Sequence, residues 1–331
     1  MNQSQTIYSA PPKLINAFIA GFNTVASHVY LLLLPVAFDL LLWFGPRLRL
    51  QGLLGPVVDD TTRYLLEMNS ADLASRLTSV GQIYSEVLKR FNLVSLMRTF
   101  PIGVPSLLAS QSPLDNPFGA AQVFEIKSML SAGVLMAAIM LIGFVLGCLY
   151  FNLLARTTIE GKASFDFSKF LTQVGLTLLL TVGLIVLLVV LSIPGLLLMS
   201  VFAVINPGLA DIAMIVIFFI LLWLLVPLIF TPHGIYSGQR NLLVSVVTSV
   251  RLVRFFLPGT GIFLLFAILI SQGLDILWRM PPASSWMTAV GIFGHAFIYT
   301  SMFAASFIYF RNGMGWMLHN IQNQNPREIK I

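Results

Sequence analysis

Apolar residues along this chain fall in long uncharged runs separated by short basic patches. The longest runs lie in the middle: 41 uncharged residues between Lys169 and Asp211, then 28 between Asp211 and Arg240. Asn206-Pro207-Gly208 punctuates them as a turn. Segments of this length predict membrane-spanning helices. Across the chain the same pattern predicts six spans, near 25–44, 129–152, 172–195, 212–230, 260–277 and 286–310. The stretch before the first, with Asn16, Asn23, Thr24, Ser27 and His28, is too polar for a lipid-facing span and predicts an interfacial helix. Residues 170–205 would form a helix of about 54 Å against roughly 30 Å of hydrocarbon. An elbow at 170–175, an end at Pro194-Gly195, or some of both is therefore expected.

Residues 46–128 are the only sizeable hydrophilic region, with eight Lys/Arg against seven Asp/Glu. From Leu73 the apolar residues Leu77, Val80, Tyr84, Val87, Leu88 and Phe91 recur at helical steps, with Ser70 placed to cap and Asp72 in the first turn. A shorter helix is expected at 60–68. Pro101, Pro105, Pro113 and Pro117 predict loop thereafter. The region has too little apolar surface for its own core, so it should pack on the membrane domain or lie on lipid. The expected fold is all-α: a single membrane domain, a bundle of six transmembrane helices, with a helical extracytoplasmic insertion between the first and second.

Composition agrees with that solvent. Of 331 residues 57% are hydrophobic and 10% charged, where soluble domains carry roughly a quarter. Mean hydropathy is +0.88. The net charge of +6 sits singly or in pairs at the ends of apolar runs, the pattern of topology determinants and lipid contact, so no nucleic-acid partner is expected. Lys/Arg counts are three in the second-to-third connection, three in the fourth-to-fifth and three in the C-terminal tail, against none and one in the turns opposite. Both termini are thus expected in the cytoplasm, 46–128 outside, and the chain in the plasma (inner) membrane. The first apolar run ends in Phe44-Gly45-Pro46-Arg47 without a small-x-small cleavage site, so it is expected to be retained. Polar lead-ins at 13–27, 163–173 and 239–254 each precede a pair of spans; three helical hairpins or six independent spans fit equally.

Candidate chemistry is sparse. Cys148 is the only cysteine, which excludes an intramolecular disulfide and a thiolate metal site. No phosphate-loop, nucleophile-elbow, zincin or dinucleotide motif occurs, so no catalytic residue, cofactor or metal is expected and enzymatic activity is disfavoured. His28 and His233 have no further ligands at suitable spacing. Ionisable residues inside spans are costly, which singles out Asp39, Asp275 and His295 as an outer-half cluster for a proton or cation. The simpler alternative is pairing: Asp39 with Arg47 or Arg98, and Asp275 with Arg279 at i,i+4. On the cluster reading Asp39→Asn should leave abundance intact. Arg156, Lys162, Lys169, Arg251 and Arg254 form a cytoplasmic basic belt, either lipid head-group contacts or topology signals alone. Trp43, Trp278 and Trp286 gather at the expected outer boundary.

The segment Phe165–Leu180, the Ile193-Pro194-Gly195 break, the run Thr248-Ser249-Val250-Arg251-Leu252-Val253-Arg254 and Ala296-Phe297-Ile298-Tyr299-Thr300 resemble the glycerophosphodiester phosphodiesterase membrane-domain family over roughly residues 130–310. The phosphodiesterase activity of that family resides in a separate soluble α/β barrel, and none is legible here. The resemblance therefore implies a six-helix membrane fold and no reaction, and the insertion at 46–128 departs from the family's compact version. Two function classes follow. The first is a non-catalytic membrane component binding lipid or a protein partner through 46–128. The second is a small-solute or lipid transporter using Asp39, Asp275 and His295. Transporters carry matched broken helices, and Pro194-Gly195 has no counterpart, which favours the first.

Overall fold

The computed structural model describes residues 11–68, 71–158, 165–238 and 241–324. Eleven α-helices are described: α1 Leu14–Ser27, α2 Leu33–Phe44, α3 Gln51–Met68, α4 Ala71–Arg90, α5 Met129–Thr158, α6 Phe167–Ile205, α7 Pro207–Leu225, α8 Thr231–Gly238, α9 Leu242–Phe255, α10 Leu257–Trp278 and α11 Met287–Gln324. Among the described residues five helical stretches are long and apolar enough to cross a bilayer, and six if α1 and the Val29–Phe44 stretch are one broken span. These are the helices of a multi-pass membrane protein. The chain divides into two compact units; α5, α10 and α11 contribute residues to both.

The unit of residues 28–150 and 268–300 contains the insertion. There α3 and α4 pack as a hairpin, and Gly81 allows it: a Cβ would sit 2.9 Å from the Thr62 side chain. The α4 helix covers the stretch whose periodicity predicts it, and the expected cap at Ser70 lies outside the described residues. Two features depart from an all-helical insertion. Arg47–Arg49 (β1) pairs in parallel with Val123–Glu125 (β4). Asp115–Asn116 (β2) and Gly119–Ala120 (β3) form a small hairpin, with Gly119 at φ +114°, a conformation glycine takes without strain. The buried Arg47 guanidinium donates to the carbonyls of Pro113 and Arg90, both at 2.7 Å, which ties this substructure together. Trp43, Phe44, Phe118 and Trp286 close the ends of α2 and α11 with ring centroids 4.4–6.0 Å apart.

The other unit, residues 1–27, 151–267 and 301–331, is built round α11. Gly21 brings α1 against it, where a Cβ would lie 2.5 Å from the Ser301 carbonyl oxygen. Phe18, Phe263 and Tyr309 stack beside that contact at 5.1 and 4.3 Å. The break between α7 and α8 is held by α9: the Phe230 N–H donates to Ser249 Oγ, which donates to the Pro227 carbonyl. Buried Gln173 accepts from Asn152 at 2.7 Å, and Thr177 and Tyr236 share a 3.0 Å hydrogen bond.

The central helix corrects the expected elbow or break. α6 is continuous for 39 residues, about 58 Å, through both Gly175 and Pro194. Proline forfeits only its own bond to the Val190 carbonyl, a loss that transmembrane helices tolerate. The chain turns instead at Asn206, which ends α6 and caps α7 by accepting from the Gly208 N–H at 2.8 Å. At its start, Asp166 caps α6 through the Lys169 N–H, a hydrogen bond that holds its carboxyl below the usual range.

Candidate functional site

Asp39 lies in α2, five residues before its end at Phe44, and is fully buried. A carboxylate there requires donors. Three come from one turn of the insertion: the Ser106 hydroxyl and the Leu108 N–H donate to Oδ1, and the Leu107 N–H to Oδ2, both amides at 3.0 Å. Ser106 Oγ also accepts from the Ala109 N–H, so the turn is capped twice. Neither arginine offered by the sequence pairs with this carboxylate. Arg47 is committed to carbonyls, and Arg98 acts on Asp39 only as a nearby charge.

The segment that presents this turn also occupies the Gly143-x-x-x-Gly147 face of α5. A Cβ at Gly143 would lie 2.2 Å from the Met97 carbonyl oxygen and 2.5 Å from its Cα; one at Gly147 would lie 3.0 Å from Gly103 Cα. The sequence suggests helix–helix approach for this motif. The structure seats loop backbone in it. Ile102, Val104, Ser106, Leu107 and Leu108 are buried, so residues 102–108 are a core element although irregular, whereas Arg98 and Phe100 before them are exposed. Irregular backbone amid apolar helices must find its hydrogen bonds within the protein, and Asp39 accepts two of them. A cavity of about 140 Å³ lined by Leu34, Phe38, Met97, Val104 and Leu146 adjoins it and offers almost no polar surface.

Asp275 and His295 do meet. His295 Nδ1 is 2.6 Å from Asp275 Oδ1, and both side chains are buried. Arg279, just past the end of α10, donates to Asp275 Oδ2 at 2.8 Å. The Tyr299 hydroxyl approaches the same oxygen at 3.5 Å and accepts from Gln272 at 3.0 Å. The Tyr299 ring lies 4.2 Å from that of His295. Buried His295 Nε2 has no partner among the described residues. The pair can share one proton, with Arg279 balancing the carboxylate. Asp39 is engaged elsewhere, and no group of three or more His, Cys, Asp or Glu among the described residues could hold a metal. Sequence reasoning names Asp275, His295 and Arg279. It misses Ser106, Tyr299 and Gln272, because none stands at a spacing that marks it.

His233 is buried among aromatic rings. Its ring is enclosed by Phe151, Phe230, Phe307 and Phe310 at 4.3–6.3 Å, with Nε2 2.7 Å from Ser306 Oγ. His28 stands at the break after α1, its ring edge-on to Tyr30 at 5.8 Å.

Members of the basic belt have different surroundings. Arg156 lies over the Phe165 ring at 5.5 Å, and Lys169 is 3.5 Å from Asp166 on an exposed surface. Arg251 is exposed on α9. Arg254, also exposed, lies over Trp223 at 5.9 Å. Lys162 lies outside the described residues. Arg311, from α11, donates to the Thr158 carbonyl at the end of α5. In comparisons with known proteins, the chain matches no family model, no curated protein and no solved structure.

Proposed function

We propose that this chain is a non-catalytic, six-span component of the plasma membrane, with cytoplasmic termini. Its outer insertion docks a protein partner, and its cytoplasmic basic residues contact anionic lipid. The observation that carries the partner reading is on α4. Val80, Ile83, Tyr84 and Val87 stand at i, i+3, i+4 and i+7 and are 47%, 62%, 58% and 53% exposed. The hairpin partner α3 packs elsewhere on the helix, at Gly81. Tyr64 and Leu65 of α3 add exposed apolar surface. An apolar stripe on a charged two-helix arm is the surface a partner's groove receives in helix-in-groove recognition. The positive-inside count supports an outer location for it.

A proton- or solute-handling role for Asp275–His295 has less support. Arg279 already balances the carboxylate, and Asp39, the third member that reading needs, is occupied by the 106–108 turn.

A photo-crosslinking residue at Ile83 or Tyr84 of the full chain in native membranes should give one discrete protein adduct, and one at Lys89 on the charged side should not. The double variant Ile83→Glu/Tyr84→Glu should lose the partner while its stability stays within about 0.5 kcal/mol, as expected for exposed sites. Adducts only with lipid, or the same adducts from all three positions, would overturn the partner reading.

A further inference from the structure

We propose that the groove between α7, α9 and the start of α10 holds one anionic phospholipid, with its phosphate on Arg254 and an acyl chain along Phe219, Leu222, Val226 and Leu257. This deepens the lipid-contact part of the proposed function and rests on it. The groove measures about 590 Å³, and Arg254 is the one charged residue among those lining it. Arg254 makes no ion pair with an acidic side chain among the described residues; its described neighbour is the Trp223 ring. An arginine beside a lipid-facing apolar wall is costly unless an anion or water meets it. The guanidinium presents a planar fork that fits a phosphate, and indole rings favour head-group depth.

α9 ends at Phe255 and α10 begins at Leu257, which lines the groove three residues beyond Arg254. The carbonyl end of one helix and the amide end of the next meet there, so their dipoles oppose and the Arg254 guanidinium is the charge the groove presents. Two other basic residues of this unit are already engaged. Lys169 is paired with Asp166, and Arg311 is spent on a carbonyl. The apolar walls suit a chain and the cation suits a head group, so a phospholipid satisfies both where a soluble anion would satisfy one.

The test reconstitutes the full chain in phosphatidylcholine bilayers containing a small fraction of chain-brominated phosphatidylglycerol or, separately, chain-brominated phosphatidylcholine. Emission from Trp223 is taken as the difference between wild type and Trp223→Phe. Quenching by the brominated anionic lipid should be about fivefold stronger, the preference expected of one basic residue at the surface. Arg254→Gln should bring the two lipids to parity, and Arg254→Lys should keep part of the preference. Both residues are exposed, so folding should be unaffected. Equal quenching in wild type, or a preference that survives Arg254→Gln, would overturn the site and leave the membrane reading intact. Quenching by neither lipid would overturn both. Crosslinking at Ile83 reads the partner surface independently of every one of these outcomes.

Discussion

Asp39→Ala should prevent the chain from accumulating in the membrane. The substitution removes the acceptor of the Ser106 hydroxyl and of the Leu107 and Leu108 amides, all from a turn that packs as core. Each is a hydrogen bond to a buried carboxylate, and the amides left behind belong to fully buried residues. The expected loss is on the order of 3 kcal/mol or more, against a typical total stability of about 5–15. Asp39→Asn should fall between alanine and wild type. Its one carbonyl oxygen can serve Ser106 and Leu108, but its amide would face the Leu107 N–H, donor against donor. This reverses the expectation for a proton-binding carboxylate, for which asparagine would leave abundance unchanged. Abundance in membranes and the unfolding temperature in detergent decide it. A wild-type melting curve for Asp39→Ala would remove the carboxylate from the structural role assigned here.

Gly143→Ala should be the most damaging methyl in α5. The new Cβ would fall 2.2 Å from the Met97 carbonyl oxygen and within 2.7 Å of two further backbone atoms of that residue. Backbone cannot swing aside as a side-chain end can, so the loop must be displaced. Overpacking of this kind costs typically 1–3 kcal/mol, and more where backbone is the obstacle. Gly133→Ala is the control. It lies on the same helix with nothing within 4 Å of its Cβ position. There alanine should be neutral or stabilise by about 0.5–1 kcal/mol through helix propensity. Thermal unfolding of the two variants side by side separates steric exclusion from any general intolerance of change in α5. Equal melting temperatures would mean that the loop does not sit where the glycine admits it.

These two residues also mark the boundary of what can be learned from sequence. Long uncharged runs are a one-dimensional signal, so helices such as α5 and α7 are legible from hydropathy alone. The amphipathic period of α4 is legible too, but not that its apolar face stays exposed, because period locates a face without naming its neighbour. Asp39 stands out as an intramembrane carboxylate, yet its partners lie 67 to 69 positions away and two of them are backbone amides, which no residue type announces. Gly143 and Gly147 announce close approach and not what approaches. The three-residue parallel pairing of β1 with β4 is too short for a period of two to register. Pro194 fails as a boundary for a different reason. A proline costs one hydrogen bond, and a long apolar helix in lipid keeps all its others by staying helical.

The Asp275–His295 pair shows the same division. Asp275 and Arg279 follow from an i,i+4 step at the end of one helix, whereas the 2.6 Å approach of His295 depends on how α10 meets α11. That packing also brings Tyr299 to the carboxylate.

The central claim, a multi-pass membrane chain with its α3–α4 arm outside, is tested most directly by cysteine labelling of intact cells. Cys148 is buried and should stay silent. Single cysteines at Gln82, exposed on α4, and Ser168, exposed at the start of α6, lie on opposite sides in this account. A membrane-impermeant maleimide should label Gln82→Cys in intact cells and Ser168→Cys only after permeabilisation. Labelling of Ser168→Cys from outside, or protection of Gln82→Cys, would contradict the topology and with it the outer docking surface.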